Sequence, residues 1–419
     1  MVGIRRFSWI AMAVALTLFA LPTLGAEKVF KVGVLGPFTG PSAKTGVEFK
    51  GSVEMALEKI DYKIGDYKVE VVWIDSQSDP AKAASAYAEA AERAGIQAGV
   101  LNWHSSVAVA AMDVAAQYKV PHMFGFGATE VVNEKWRSDP DKYSYWGGKG
   151  WPVPAKLMLG YVECLENAIR SGAWKPEKKL VAIYGEDTDW GRSAGGALKA
   201  EFTKKGWKVV SEDYFPTTQT DFYPLLSKYR KEGVSVVAGT SAAAPVMSAF
   251  IKQASEVGLR AVIIADGLGW MGDWYKLTGS ASNYVLDMIP QLTTPEARAW
   301  AEAVEKRYGY KPSPSAGGLS YDGMNFFLKI AKRALEKYGT LDKQSIHKIF
   351  VEEVNTGKLT YSAKDGALIM KEYKYTTETM PDPVVGRDGY YFPVIQYMNG
   401  KGSIVYPDDW KQADFVAPK

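Results

Sequence analysis

Short apolar runs alternate with helical spacings along most of this chain, and the alternation occurs twice. Val29–Leu35, Val69–Ile74, Ala98–Leu101 and Val120–Phe124 are runs of strand length. Between them Val53, Ala56, Leu57 and Ile60 recur at helical spacing, and Ala81–Ala94 and Val107–Tyr118 read as helices. The rhythm restarts with Lys179–Tyr184, Trp207–Tyr214, Val234–Ala238 and Ala261–Ala265, separated by helices through Ala194–Phe202, Tyr223–Tyr229 and Val246–Val257. Strand, helix, strand, helix predicts a parallel sheet with helices on both faces. Two such series predict two α/β units of similar size.

The stretch between the series, Asn133–Pro154, holds Asp139-Pro140, Gly147-Gly148 and Gly150 and reads as an irregular connection. Pro290–Pro295 reads as a second crossing, with helices following at Pro295–Tyr308 and Ser320–Lys337. The C-terminal region differs. Tyr390, Tyr391, Val394, Ile395 and Tyr397 precede the turn Asn399-Gly400, which predicts a hairpin.

Met1–Ala26 has a basic start (Arg5, Arg6), an apolar run (Trp9–Leu21) and small residues at Gly25 and Ala26. That is the pattern of a secretory signal peptide cut near Gly25 or Ala26. The run is about a dozen residues, short of the roughly 20 that a spanning helix needs, and no cysteine follows it for lipid attachment. The expectation is a periplasmic protein of 393 residues, from 419, with 47% apolar residues to build its cores. Arg5 and Arg6 leave with the leader, taking the formal charge from +3 to +1. No concentrated basic footprint remains, so no nucleic-acid partner is expected. The one cysteine, Cys164, falls in the apolar pattern Leu159, Val162, Leu165, Ala168 and reads as a small buried hydrophobe. The three histidines, His104, His122 and His347, are scattered, so no metal site is expected.

Gly267-Leu-Gly269-Trp-Met-Gly272 follows a predicted strand with dinucleotide-binding spacing. A lone match is weak. It falls late in its unit, no acid-ended strand follows about 20 residues on, and a secreted protein meets little cofactor, so no cofactor is expected. Ser105-Ser106 open the helix after Asn102-Trp103-His104, where a helix start offers free N–H groups to an anion. Serine catalysis is not expected: His104 is a sequence neighbour whose side chain points away on extended backbone, and there is no G-x-S-x-G elbow. Gly125-Phe-Gly127-Ala128-Thr129 follows the next strand. Loops after neighbouring parallel strands meet at the carboxyl edge, so Ser105 and Thr129 are expected to face one crevice. Asp187-Thr-Asp-Trp190-Gly and Asp266 hold matching positions in the second unit.

Val32-Gly-Val-Leu-Gly-Pro-Phe-Thr-Gly-Pro41, with Gly46 and Gly51, resembles the opening of the periplasmic leucine/isoleucine/valine-binding proteins of ABC importers. Ser105-Ser106, Val120-Pro121, Gly127-Ala128-Thr129, Asp189-Trp190-Gly191 and Ser320-Tyr321-Asp322-Gly323 fit the same family. The resemblance implies a periplasmic binding protein of type I, an α/β fold of two Rossmann-like lobes with parallel sheets joined by a three-strand hinge. Lobe I is expected over 27–147 plus 291–350, and lobe II over 148–290 plus 351–419. It further implies capture, without catalysis, of a branched-chain amino acid or related small carboxylate, by a monomer that serves an ABC permease in the inner membrane. The ligand-binding residues implied are Ser105, Ser106, Gly127, Ala128 and Thr129 for the carboxylate, Trp190 as a closing ring, Asp266 for the ammonium, and Tyr321 and Thr45 beside the cleft. The chain departs from that pattern at Gly239–Ala244, where amino-acid binders carry a tyrosine. Trp103, His104, Trp146, Trp151 and Trp270 add bulk near loop positions. A larger aromatic carboxylate or amide is the alternative ligand.

Overall fold

The computed structural model describes residues 27–270 and 272–418. The leader pattern at Met1–Ala26 lies outside them. Fourteen strands occur in the described residues: β1 (Lys28–Gly36), β2 (Lys63–Ile64), β3 (Tyr67–Asp75), β4 (Ala98–Val100), β5 (His122–Met123), β6 (Leu180–Glu186), β7 (Lys208–Phe215), β8 (Val236–Thr240), β9 (Val262–Asp266), β10 (Leu286–Met288), β11 (Tyr361–Ser362), β12 (Glu372–Tyr373), β13 (Val394–Met398) and β14 (Lys401–Tyr406).

The first lobe is a five-stranded sheet in the order β2-β3-β1-β4-β5, parallel except for the β2 edge. Alternation along β1 divides its core. Phe30, Val32 and Val34 join Phe49, Val53 and Leu57 of the helix Ala43–Glu58 on one face, where Phe30 also stacks on Phe327. Leu35 joins Tyr87, Ala108, Ala111 and Met112 on the other. This two-sided burial is what near-continuous apolar parallel strands require.

The second lobe is a seven-stranded sheet, β14-β13-β10-β9-β8-β6-β7. Strands β6 to β10 are parallel; β13 and β14 add an antiparallel edge. The predicted hairpin is β13–β14, turning at Asn399 (φ 52°) and Gly400 (φ 80°). Two successive left-handed residues are what a two-residue hairpin loop demands, and Asn-Gly supplies them at little cost. Cys164 is buried as expected, and burial pushes its thiol up to about 12.

The Asn133–Pro154 connection is more ordered than its sequence suggests. Helices occupy Glu130–Ser138 and Pro140–Tyr143. Thr129 caps the first and Asp139 the second, and Val132 and Trp136 give the first helix an apolar face four residues apart. Capping and packing outweigh the local Pro and Gly signals.

The chain leaves the first sheet after β5, leaves the second after β10 for helices that pack on the first lobe, and returns at β13, so it passes between the lobes three times. The first and third are tied by ions. Lys149 is wholly buried, with Nζ 2.8 Å from Asp382 and 2.6 Å from Asn133 Oδ1; Lys156 reaches the same Asp382 at 2.9 Å. Contacts to the first lobe continue past residue 350. Tyr361 stacks on Phe326, and the Tyr373 hydroxyl and the Leu368 and Ile369 amides donate to Asp322.

Candidate functional site

A cavity of about 390 Å³ opens where the carboxyl ends of both sheets face each other. It is lined by loops after six strands: Ser78–Pro80 after β3, Trp103–Val107 after β4, Phe126 after β5, Glu186–Thr188 and Trp190 after β6, Pro216 and Thr217 after β7, and Ala242 after β8. Trp270, beyond β9, and Trp151, on the first crossing, complete it. The carboxyl edge is where open parallel sheets take their ligands, and small-molecule sites span roughly 300–1,000 Å³.

The first lobe supplies a helix start. Ser105 and Ser106 open the helix Ser105–Gln117, and no side chain caps it. Ser105 Oγ accepts from the N–H groups of Ala128 (3.1 Å) and Thr129 (3.2 Å), so the two predicted loops do converge. Gly127 permits this approach: a Cβ there would stand 2.3 Å from the Cβ of Ala108. Thr129 Oγ1 caps the next helix through Val131 N. Ser105 is thus committed to the backbone, while the His104 ring turns away to Ser42.

The second lobe supplies a ring and an acid. Thr188 caps the helix Asp189–Lys204, which seats Trp190 at its first turn. The Trp190 indole N–H donates to Thr240 Oγ1 at 2.9 Å, and Thr240 donates onward to the Asp266 carbonyl at 2.7 Å. Glu186, buried, accepts from Ala242 N (2.7 Å), Ser241 Oγ (3.1 Å) and Thr188 Oγ1 (2.9 Å). Burial raises its carboxyl above the usual range.

Aromatic rings dominate the walls. Trp270 lies 5.3 Å from Trp103, 5.7 Å from Trp151 and 5.7 Å from Trp190, ring centre to ring centre, and Phe126 lies 5.7 Å from Trp103. The lobes also touch through polar atoms. Ser42 Oγ donates to Ala242 O (2.9 Å), Asp189 N donates to Ser106 Oγ (3.4 Å), and Thr129 Oγ1 lies 3.3 Å from Ser193 Oγ.

Of the residues expected at the cleft, Ser105, Ser106 and Trp190 line the cavity, and Gly127, Ala128 and Thr129 stand directly behind Ser105. The other three do not line it. Asp266 is buried with Oδ1 accepting from the Tyr161 hydroxyl at 2.7 Å, so its side chain faces the helix Leu159–Arg170 rather than the ligand space. Burial and the neighbouring Asp287 raise its carboxyl well above the normal range. Tyr321 packs on Trp300 at 5.5 Å, and Thr45 is buried in the helix Ala43–Glu58. The buried acid that does line the cavity is Glu186, at the end of β6. A strand that ends in an acid directly before Asp187-Thr188 is the signal that could have found it. The glycine motif is accounted for by Asp287, whose carboxylate takes the N–H groups of Gly267 (3.1 Å) and Gly269 (2.7 Å). Those are the amides a pyrophosphate would have needed.

Comparison with known proteins agrees with this geometry. A family model described as "Periplasmic binding protein" matches residues 29–369. A Leu/Ile/Val-binding protein homolog 6 of Brucella abortus (strain 2308) is 27% identical over 331 residues, covering 76% of this chain and 80% of that protein. Among solved structures, a branched-chain amino acid ABC transporter protein of Thermus thermophilus with bound valine superposes with a TM-score of 0.73 at 17% identity, covering 90% of this chain and 96% of the other. A solute-binding protein of an ABC transporter from Rhodopseudomonas palustris BisB5, in complex with 3,4-dihydroxybenzoic acid, gives 0.72 at 21% identity, covering 93% and 98%. With two parallel-sheet lobes meeting over one cleft and the family model spanning most of its length, this chain belongs to the periplasmic binding protein family.

Proposed function

We propose that this protein is the extracytoplasmic solute-binding component of an ABC importer, capturing a branched-chain amino acid or related small carboxylate between its lobes. The observation that carries the reading is the uncapped helix start at Ser105-Ser106, facing Trp190 and Glu186 across one cavity. The ligand carboxylate docks on the first-turn amides and the serine hydroxyls, with the Ala128 and Thr129 amides behind them. Charge-assisted hydrogen bonds contribute roughly 1.5–3 kcal/mol each. Three or four of them support micromolar binding, about −8 kcal/mol, after ordering costs. The second lobe then swings in as a hinged body, bringing Trp190 over the ligand and Glu186 toward an ammonium. The role expected of Asp266 passes to Glu186 in this scheme. No bond is made or broken, which fits a Ser105 hydroxyl held by two amides. The closed form, as a monomer, is what an inner-membrane permease would recognise, and the leader pattern at Met1–Ala26 fits export with cleavage near Gly25 or Ala26.

A second reading, an aromatic carboxylate, is favoured by one specific observation. Four tryptophans and Phe126 line the cavity, and Glu186 is already engaged by three donors of its own lobe. Calorimetry with leucine, isoleucine and valine against benzoate and 4-hydroxybenzoate decides between the two. Binding of none of them would overturn the carboxylate assignment.

A further inference from the structure

Asp382 is wholly buried, and each of its carboxylate oxygens meets a different lysine. Lys149 Nζ stands 2.8 Å from Oδ1, and Lys156 Nζ stands 2.9 Å from Oδ2. The two lysines flank residues 150–155 of the first passage between the lobes, and they are held in different ways.

Lys149 is fastened to the first lobe. Its Nζ donates to Asn133 Oδ1 at 2.6 Å and reaches the Ala128 carbonyl at 3.5 Å. Its amide donates to Pro381 O at 2.7 Å, and its carbonyl accepts from the Tyr375 hydroxyl at 2.7 Å. Tyr375 in turn stacks on Phe326 of the helix Ser320–Tyr338. The next residue continues the attachment, with Gly150 N donating to Gly125 O at 2.8 Å. Asp382 is therefore tied to the first lobe by backbone as well as by charge.

Lys156 is placed by the second lobe. It ends the turn Pro154–Lys156, which packs against the helix Asp189–Lys204 and runs on into the helix Leu159–Arg170. Its side chain is partly exposed, and Asp382 is its one ion partner among the described residues. Burial opposes the charge on Asp382, and Lys149 and Lys156 together hold its carboxyl below the usual range. For the lobes to part, the chain between the two lysines has to bend. Lys149 stays with the carboxylate, and Lys156 travels with the second lobe. The contact that opening stretches is Lys156–Asp382, and loss of a counter-charge beside a buried ion is costly.

We propose that Lys156 is a positioning residue for solute capture: its bridge to Asp382 holds the second lobe in the closed setting while Lys149 anchors the carboxylate. Lys156 does not line the cavity, so it acts on every solute alike. The inference rests on the solute-binding reading above and goes beyond it by assigning closure to a named ion bridge.

The test measures lobe separation in the full mature protein. Lys44→Cys and Lys252→Cys place spin labels at exposed positions of the helices Ala43–Glu58 and Ala244–Glu256, one on each lobe. Native Cys164 is buried with its thiol pushed up to about 12, so it stays unlabelled. Pulsed electron paramagnetic resonance without ligand should show Lys156→Met moved to longer distances. The ratio of closed to open protein should fall roughly five- to thirtyfold, the scale of one charge-assisted hydrogen bond partly open to solvent. Lys156→Arg still reaches Asp382 and should restore the wild-type distances. Calorimetry with leucine, isoleucine, valine, benzoate and 4-hydroxybenzoate should show every ligand that binds weakened by one common factor in Lys156→Met, because apparent affinity scales with the closed fraction. A lowered urea midpoint with unchanged distances gives Lys156 a structural role alone and overturns the proposal. Unchanged distances at an unchanged midpoint overturn it too, as does a Lys156→Arg variant that behaves like Lys156→Met. Binding of none of the five ligands overturns the carboxylate reading, while the distances measured without ligand still decide on Lys156.

Discussion

The indole N–H of Trp190 donates to the Thr240 hydroxyl, 2.9 Å away, so a ring of the cavity wall is held by the end of a different strand. Thr240→Val leaves that N–H unpaired and releases the ring, and should weaken binding of the best ligand by about 1–2 kcal/mol, roughly five- to thirtyfold. Trp190→Phe removes the donor as well and should lose more affinity while changing stability little. Titration by tryptophan fluorescence and calorimetry measures both. An unchanged affinity in Thr240→Val would show that the bond has no part in placing the ring.

Ser105 Oγ accepts two backbone N–H groups, so its removal is a structural change before it is a binding change. Ser105→Ala strands two buried amides and should cost about 1–3 kcal/mol of stability in urea denaturation. A carboxylate bound there supplies the missing acceptor, so saturating ligand should recover part of that loss.

The two acids of the second lobe should behave differently. Glu186→Gln, at the cavity, should weaken an amino acid at least tenfold and a plain carboxylate little, because only the former brings an ammonium. Asp266→Asn, turned to Tyr161, should leave both affinities within about threefold, since an amide oxygen still accepts from that hydroxyl. The reverse pattern in calorimetry would restore Asp266 as the ammonium partner.

Lys149 and Asp382 are both fully buried, 2.8 Å apart, on two different crossings. Asp382→Asn leaves the Lys149 charge uncompensated and should cost about 3–5 kcal/mol, read from the midpoint of chemical denaturation. Lys149→Met should cost a similar amount, because Asp382 keeps only the partly exposed Lys156 as counter-ion, with the Val153 amide beside it.

Glu48 is buried and accepts from the Ser313 amide at 2.9 Å, and burial raises its carboxyl from 4.5 to about 7. The folded form therefore holds a proton that the unfolded chain releases above pH 4.5. Its contribution to stability is complete below that pH and is lost as pH rises toward 7, on the order of 2–3 kcal/mol. His104 acts in the opposite sense: lowered from 6.5 to about 4, it stays neutral while the unfolded chain protonates, so stability falls as pH drops from 6.5 to 4. Glu48→Gln should flatten the loss between pH 4.5 and 7. Urea denaturation across that range checks it, and identical profiles would show that Glu48 titrates normally.

The long parallel strands were legible in the sequence because their apolar runs are continuous and their helices are amphipathic. β6 begins at Leu180 and β9 at Val262, each one residue from its predicted start. The Asn399-Gly400 hairpin was legible from its turn chemistry. Strands β2, β11 and β12 were not, since two residues carry no period, and β10 was hidden in front of Pro290. At the site, position along the chain led to Ser105, Ser106 and Trp190, which line the cavity because loops at a carboxyl edge converge whatever their sequence. It could not decide which way a strand-end acid turns. That depended on Tyr161, a residue more than a hundred positions from Asp266. The sequence sets His104 beside Ser105, whereas its ring bonds Ser42, which in turn donates to the Ala242 carbonyl, on segments that meet only once the lobes are formed.

The seven-stranded sheet is completed by β13 and β14, drawn from the last part of the chain, while the first lobe waits for the helix Ser320–Tyr338 to cover Phe30. Each lobe is therefore an interleaved product of early and late sequence, and the second closes its sheet only when β13 and β14 are in place. Such long-range closure makes for slow folding. The same order of assembly leaves a truncation before β13 with the second sheet open at its β10 edge.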